Sequence, residues 1–99
     1  ELEKEKAERA AANARTLYER IERTMEEQKL YLDPDLDIVK LAVAVYSSRS
    51  TVSACINNLT GKSFRTWLSE YRLELFEQKL RNNPEESIDE LVMQCGYKE

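Results

Sequence analysis

Apolar residues recur along this chain at three- and four-residue spacing, the period of an amphipathic helix, rather than in alternation. The longest such stretch covers residues 2–27, and its seam runs through Ala10, Ala14, Leu17 and Ile21. Shorter stretches predict helices over 38–45, 49–59 and 63–81, and another that begins at residue 88. With only two Gly and two Pro in 99 residues, the chain is poor in turns, which argues against β-sandwiches and barrels. The sequence therefore predicts an all-α fold.

The predicted helix ends carry the residues that favour them. Pro34 cannot lie inside a helix and separates the first helix from the second. Gly61 follows the third helix, as a C-terminal stop does. Side chains that can cap a helix N-terminus precede the four later helices: Asp37, either Ser47 or Ser48, Ser63, and Ser87 with Glu90 in a capping box.

The helices over 38–45 and 49–59, joined by a short turn, predict a helix-turn-helix. The helix from residue 88 repeats the pattern of 38–45 at an offset of 50 residues, with Leu91 at the position of Leu41 and Cys95 at that of Val45. The intervening helix has one apolar face early and another late, so we expect it to connect two subdomains. The predicted units are residues 1–29, 30–62, 63–82 and 83–99, the last an incomplete second helix-turn-helix.

Two interpretations of the N-terminal helix stay open. One is a solvated connector, because the first half of its seam is mostly alanine and buries little surface. The other is a coiled coil that pairs two chains, because residues 10, 14, 17, 21 and 24 keep a 4-3-4-3 rhythm.

The middle third is the only part of the chain with a net positive charge. The net charge is −4, yet residues 46–82 hold six basic and three acidic residues, a local +3. The chain has no His and only two, widely separated Cys, so no zinc motif and no histidine general base are available. We therefore expect no enzyme activity, no cofactor and no metal. Two unpaired Cys favour a reducing, cytoplasmic setting.

The outer face of the helix over 49–59 carries the candidate chemistry. With Val52, Cys55, Ile56 and Leu59 toward the core, small and hydrogen-bonding side chains face outward and fit a DNA major groove about 12 Å wide. Nearby cations and the start of the next helix offer partners for phosphates. The candidate DNA-contacting residues are Arg49, Ser50, Thr51, Ser53, Ala54, Asn57, Lys62, Ser63 and Arg65. The alternative is a helical interaction or dimerisation module of a signalling protein that does not bind DNA.

From Tyr31 onward the chain resembles the AraC/XylS family of bacterial transcription regulators. The resemblance rests on three blocks: Leu41-Ala42 to Ser48 with Val52-Ser53, Ile56 and Gly61-Lys62-Ser63-Phe64; Trp67-Leu68 with Arg72-Leu73 and Lys79-Leu80; and Ser87 to Leu91 with Cys95-Gly96-Tyr97. It implies a transcription regulator that binds double-stranded DNA through two recognition helices held apart by a linker helix, with Arg72 in a structural role. It also implies a larger sensor protein, with this region as a fragment on the cytoplasmic side.

The chain departs from the family pattern at several positions. Ala54 stands where the family often has arginine, and Tyr46 replaces a small residue in the turn. Val39 and Val43 make the outer side of the second helix unusually apolar. We expect the N-terminal helix or residues 30–32 to cover them, the alternative being an intermolecular contact.

Overall fold

The computed structural model describes residues 2–97, and these form five α-helices and one 3-10 turn without strands. The helices are α1 (Leu2–Glu27), α2 (Ile38–Ala44), α3 (Arg49–Thr60), α4 (Phe64–Asn82) and α5 (Ile88–Gln94), with the 3-10 turn at Leu30–Leu32. The predicted all-α class is confirmed. Glu1 and residues 98–99, the outer ends of the first and last predicted units, lie outside the described residues.

The predicted caps lie at the N-termini of α2 to α5. Asp37, Ser48, Ser63 and Ser87 each have extended backbone and accept a hydrogen bond from the N–H group three residues later. Each side chain satisfies one N–H that the helix itself leaves unpaired, worth about 1 kcal/mol. Local sequence therefore determines where these helices begin.

The core of the first unit includes the second half of α1. Leu17, Ile21 and Met25 are buried against the apolar stripes of α2, α3 and the start of α4. Burial of such side chains contributes about 1.5–3 kcal/mol each. The solvated-connector interpretation therefore fits only residues 2–13, which are exposed.

The proposed coiled-coil seam is largely used within the chain. Leu17, Ile21 and Thr24 are buried in the fold of their own chain, which leaves Ala10 and the half-buried Ala14. Leu17, Ile21 and Thr24 could not pair two chains without leaving the core of their own chain.

The 50-residue repeat is present in the structure. α2 and α5 have the same length at that offset, and Leu41 and Leu91 are both fully buried. The residue two positions after each helix has positive φ: Tyr46 at 57° and Gly96 at 87°. The same backbone turn thus occurs twice, once with glycine and once with a residue for which it is strained.

A hydrogen-bonded junction joins α4 to the segment before α2. Arg72 donates from Nε to the carbonyl oxygen of Tyr31 at 3.1 Å and from a terminal nitrogen to that of Asp33 at 2.7 Å. Gly96 packs on the same carbonyl, since a Cβ at this position would lie 1.6 Å from the Tyr31 oxygen. The structural role implied for Arg72 is therefore visible in its contacts, which hold the linker helix, the 3-10 turn and the end of α5 together.

The expectation that Val39 and Val43 are covered is wrong. Val39 is 48 % exposed, Val43 69 % and Tyr46 92 %. The reason is geometric: α1 packs mainly on α3, and the 3-10 turn contacts α1, so neither reaches the outer side of α2. The three side chains form an exposed apolar patch, which we call the α2 patch.

Candidate nucleic-acid interface

The first turn of α3 is exposed to solvent and is capped by Ser48. The Ser48 hydroxyl accepts from the Thr51 N–H at 3.1 Å and donates to the Thr51 hydroxyl at 2.7 Å. Val52, Cys55 and Ile56 anchor the helix in the core, whereas Leu59, which was expected to face the core, is 40 % exposed near the end of the helix. The predicted outer positions Arg49, Ser50, Ser53, Ala54 and Asn57 are all exposed, as the spacing predicted.

One side of α3 forms a groove with the start of α4, which we call the α4 groove. It encloses about 450 Å³ and is lined by Ile38, Arg49, Ser50, Ser53, Ser63, Phe64 and Arg65. Five of the nine predicted residues thus come together here. Ser63 caps α4 by accepting from the Thr66 N–H at 3.2 Å. The positive end of the α4 dipole and two guanidinium groups therefore share one groove, an arrangement suited to anions.

No carboxylate lies in the sequence that builds this region. Residues 38–69 contain Lys40, Arg49, Lys62 and Arg65 but neither Asp nor Glu. Arg49 and Arg65 form no ion pair within residues 2–97. Their guanidinium groups are exposed, so a phosphate could pair with them without displacing a carboxylate.

Lys62 lies apart from the α4 groove. Its ammonium pairs with the Glu70 carboxylate, in a small cavity that Tyr18 and Trp67 also line. The hydrogen bond to Glu70 raises the pKa of Lys62, and the side chain lines this cavity rather than the α4 groove. The spacing that suggested a phosphate contact could not show this partner, because Glu70 lies on the next helix.

The other side of α3 faces α1. Between the two helices is a groove of about 440 Å³, lined on α1 by Ala10, Asn13, Ala14 and Leu17, and on α3 by Ser50, Thr51, Ala54, Cys55 and Asn58. The Cys55 thiol donates to the Ala14 carbonyl oxygen at 3.1 Å. Thr51, which the sequence predicts as a DNA contact, lines this groove together with Asn13 and Asn58, which the sequence did not single out. The spacing of Leu17, Ile21 and Met25 indicates that α1 has a buried face, but it does not show that α3 packs against that face.

Negative charge collects where α1 packs on α4, away from α3. Glu22, Glu26 and Glu74 line a cavity there with Tyr31 and Tyr71. Burial raises the pKa of Tyr71, and the neighbouring Tyr31 and glutamates raise it further. An anionic partner would be repelled on this side and accepted on the α3 side.

These features define a class of protein: a helix-turn-helix domain whose recognition helix lies in a stretch, residues 38–69, that contains neither Asp nor Glu. Residues 41–99 match the family model described as a helix-turn-helix domain, which is of the AraC type. The chain belongs to this family of DNA-binding domains, which serve in transcription regulation. No curated protein and no solved structure matches the chain.

Residues 2–97 hold neither a metal-binding cluster nor a membrane-spanning helix. Nowhere in that range do His, Cys, Asp and Glu side chains cluster so that they could hold a metal ion. None of the helices within it is both long and apolar enough to cross a membrane.

Proposed function

We propose that this chain regulates transcription by inserting α3 into the major groove of duplex DNA. The single observation that supports this most strongly is the α4 groove, where Arg49, Arg65 and the capped start of α4 flank an exposed helix. In this arrangement the two guanidinium groups and the N-terminus of α4 meet the phosphates of one strand. The outer face of α3 then lies against base edges.

The side chains on that outer face are short. Ser50 and Ser53 offer single hydrogen bonds and Ala54 a methyl contact, whereas strong discrimination comes from bidentate pairs worth about 1–3 kcal/mol each. We therefore expect this chain to bind duplex DNA with a Kd of roughly 10⁻⁴ to 10⁻⁶ M at physiological salt, the non-specific range. The change Ala54→Arg should raise affinity for any sequence and add selectivity only where a guanine lies opposite.

The test is a salt titration of binding to a duplex. Arg49→Gln with Arg65→Gln should lower the slope of log affinity against log salt by about 2, because two phosphate contacts are lost. Arg15→Gln with Arg81→Gln is the matched control, since both arginines are exposed and neither lines the α4 groove. Binding that does not respond to salt, or equal losses in both double variants, would contradict the proposal.

A specific observation favours a second function, docking of another protein. The α2 patch is apolar and uncovered, and exposed apolar surface often marks an interface. If the domain were only an interaction module, Val39→Ser with Val43→Ser would abolish its association with a partner. In that case Arg49→Gln with Arg65→Gln would change nothing. The carboxylate-free sequence of residues 38–69 favours DNA.

Three further expectations stay predictions. A DNA-binding regulator would work in the cytoplasm. Pairing of two chains would have to use the exposed part of α1 around Ala10, given the burial of Leu17 and Ile21. Attachment to a sensor region rests on the family resemblance alone.

A further inference from the structure

One side of α1 carries a stripe of polar and basic residues. The side chains at Lys6, Arg9, Asn13, Thr16 and Arg20 follow one another at three- and four-residue spacing and so share one side of the helix. Three of these five side chains are cations and none is a carboxylate; the next carboxylate on this side is Glu27, at the far end of the helix. Asn13 lines the groove beside α3, so the stripe runs along the edge of that groove. The α4 side carries Glu22 and Glu26 instead.

The two helices run in the same direction. Asn13 and Ala10 lie beside the first turn of α3, Ala14 bonds to Cys55 in its middle, and Tyr18 lies near Thr60 at its end. Residues 2–9 therefore continue α1 past the N-terminal turn of α3, by about 12 Å at about 1.5 Å per residue. Lys6 and Arg9 lie in this extension, are exposed, and form no ion pair within residues 2–97.

A helix in the major groove has a phosphate backbone on each side, and the walls lie about 12 Å apart. Arg49, Ser63 and Arg65 face one wall in the proposed function. The α1 stripe lies on the opposite side of α3, where the second wall would be. We infer that Lys6, Arg9 and Asn13 form a second phosphate-binding surface, so that α1 and the α4 groove clamp the two strands on either side of α3. This inference rests on the proposed function and adds a contact to it.

The experiment compares two pairs of substitutions on the same helix. Lys6→Gln with Arg9→Gln removes two charges from the α3 side. Lys4→Gln with Arg15→Gln removes two from the other side of the same exposed stretch. The readout is affinity for a random-sequence duplex of about two helical turns, measured by fluorescence anisotropy across a salt series.

The first pair should lower the salt slope by about 2 and the affinity by about 10- to 60-fold at about 0.1 M salt. The control pair should lower the affinity by less than about threefold, since salt at about 0.1 M screens the effect of a charge beyond about 10 Å. The conservative pair Lys6→Arg with Arg9→Lys should bind as the unchanged chain does. Circular dichroism checks that helix content is equal in all variants.

Each contrary result has a distinct meaning. Equal losses from both glutamine pairs, no loss from the first, or tighter binding after it would overturn the second surface and leave the proposed function standing. If the unchanged chain shows no salt-dependent binding to any duplex, the proposed function itself fails and the inference fails with it.

Discussion

The change Tyr46→Gly should stabilise the protein even though it removes a large side chain. Tyr46 has φ 57°, a left-handed conformation that costs a residue with a Cβ about 1–2 kcal/mol. Its side chain is 92 % exposed, so almost no burial is lost. Glycine adds about 0.5–1 kcal/mol of unfolded-state entropy, which offsets part of the gain. The net stabilisation is about 0.5–1 kcal/mol.

The assay is thermal and urea unfolding of three chains. At about 4–8 °C per kcal/mol for a domain of this size, Tyr46→Gly should raise the Tm by roughly 2–8 °C. Tyr46→Ala is the matched control, because it removes the same ring but keeps a Cβ, and it should change stability by less than about 0.5 kcal/mol. If Tyr46→Gly destabilises the protein, or if alanine stabilises it as much as glycine, backbone strain is not the cause and the reasoning is refuted.

Three other outcomes follow from single contacts. Gly96→Ala should destabilise the protein by about 2 kcal/mol or more, because the added Cβ would lie 1.6 Å from the Tyr31 oxygen. This effect is opposite in sign to that of Tyr46→Gly at the matching turn. Urea unfolding measures the change in stability, and a neutral result would contradict the packing of Gly96 on Tyr31. Arg72→Gln should cost about 2 kcal/mol in the same assay, since two carbonyl oxygens lose charged donors, and a loss below about 0.5 kcal/mol would show that the junction is not stabilising. Lys62→Gln should leave DNA affinity within about twofold, because the Lys62 ammonium pairs with Glu70. A loss of affinity as large as that of a phosphate contact would show that Lys62 contacts DNA.

Features that depend on neighbouring residues in the chain were predictable. The predicted helix at residues 2–27 is α1, and the caps at Asp37, Ser63 and Ser87 are where the sequence placed them. Capping depends on a side chain and an N–H three residues away, so a short window contains all the information. The same holds for the outward direction of Arg49 and Ser53, which helical spacing determines once the buried face is known.

Features that depend on distant residues were not predictable. Leu17 and Ile21 indicated that α1 buries a stripe, but not that α3 would receive it. Lys62 is paired with a carboxylate on the next helix, which no local pattern shows. Val39 and Val43 were expected to be covered because they are apolar, but much of any protein surface is apolar, so the residue type alone does not imply burial.

The most direct test of the central claim is to map the amide chemical-shift changes that a short DNA duplex causes in the ¹⁵N-labelled chain. The account predicts that the largest changes fall on residues 49–57 and 63–65 and weaken as salt is added. It predicts small changes at Glu22, Glu26 and Glu74, where negative charge repels the duplex. Changes confined to that acidic side or to the α2 patch, with residues 49–57 unaffected, would contradict the claim that α3 is the DNA-binding helix.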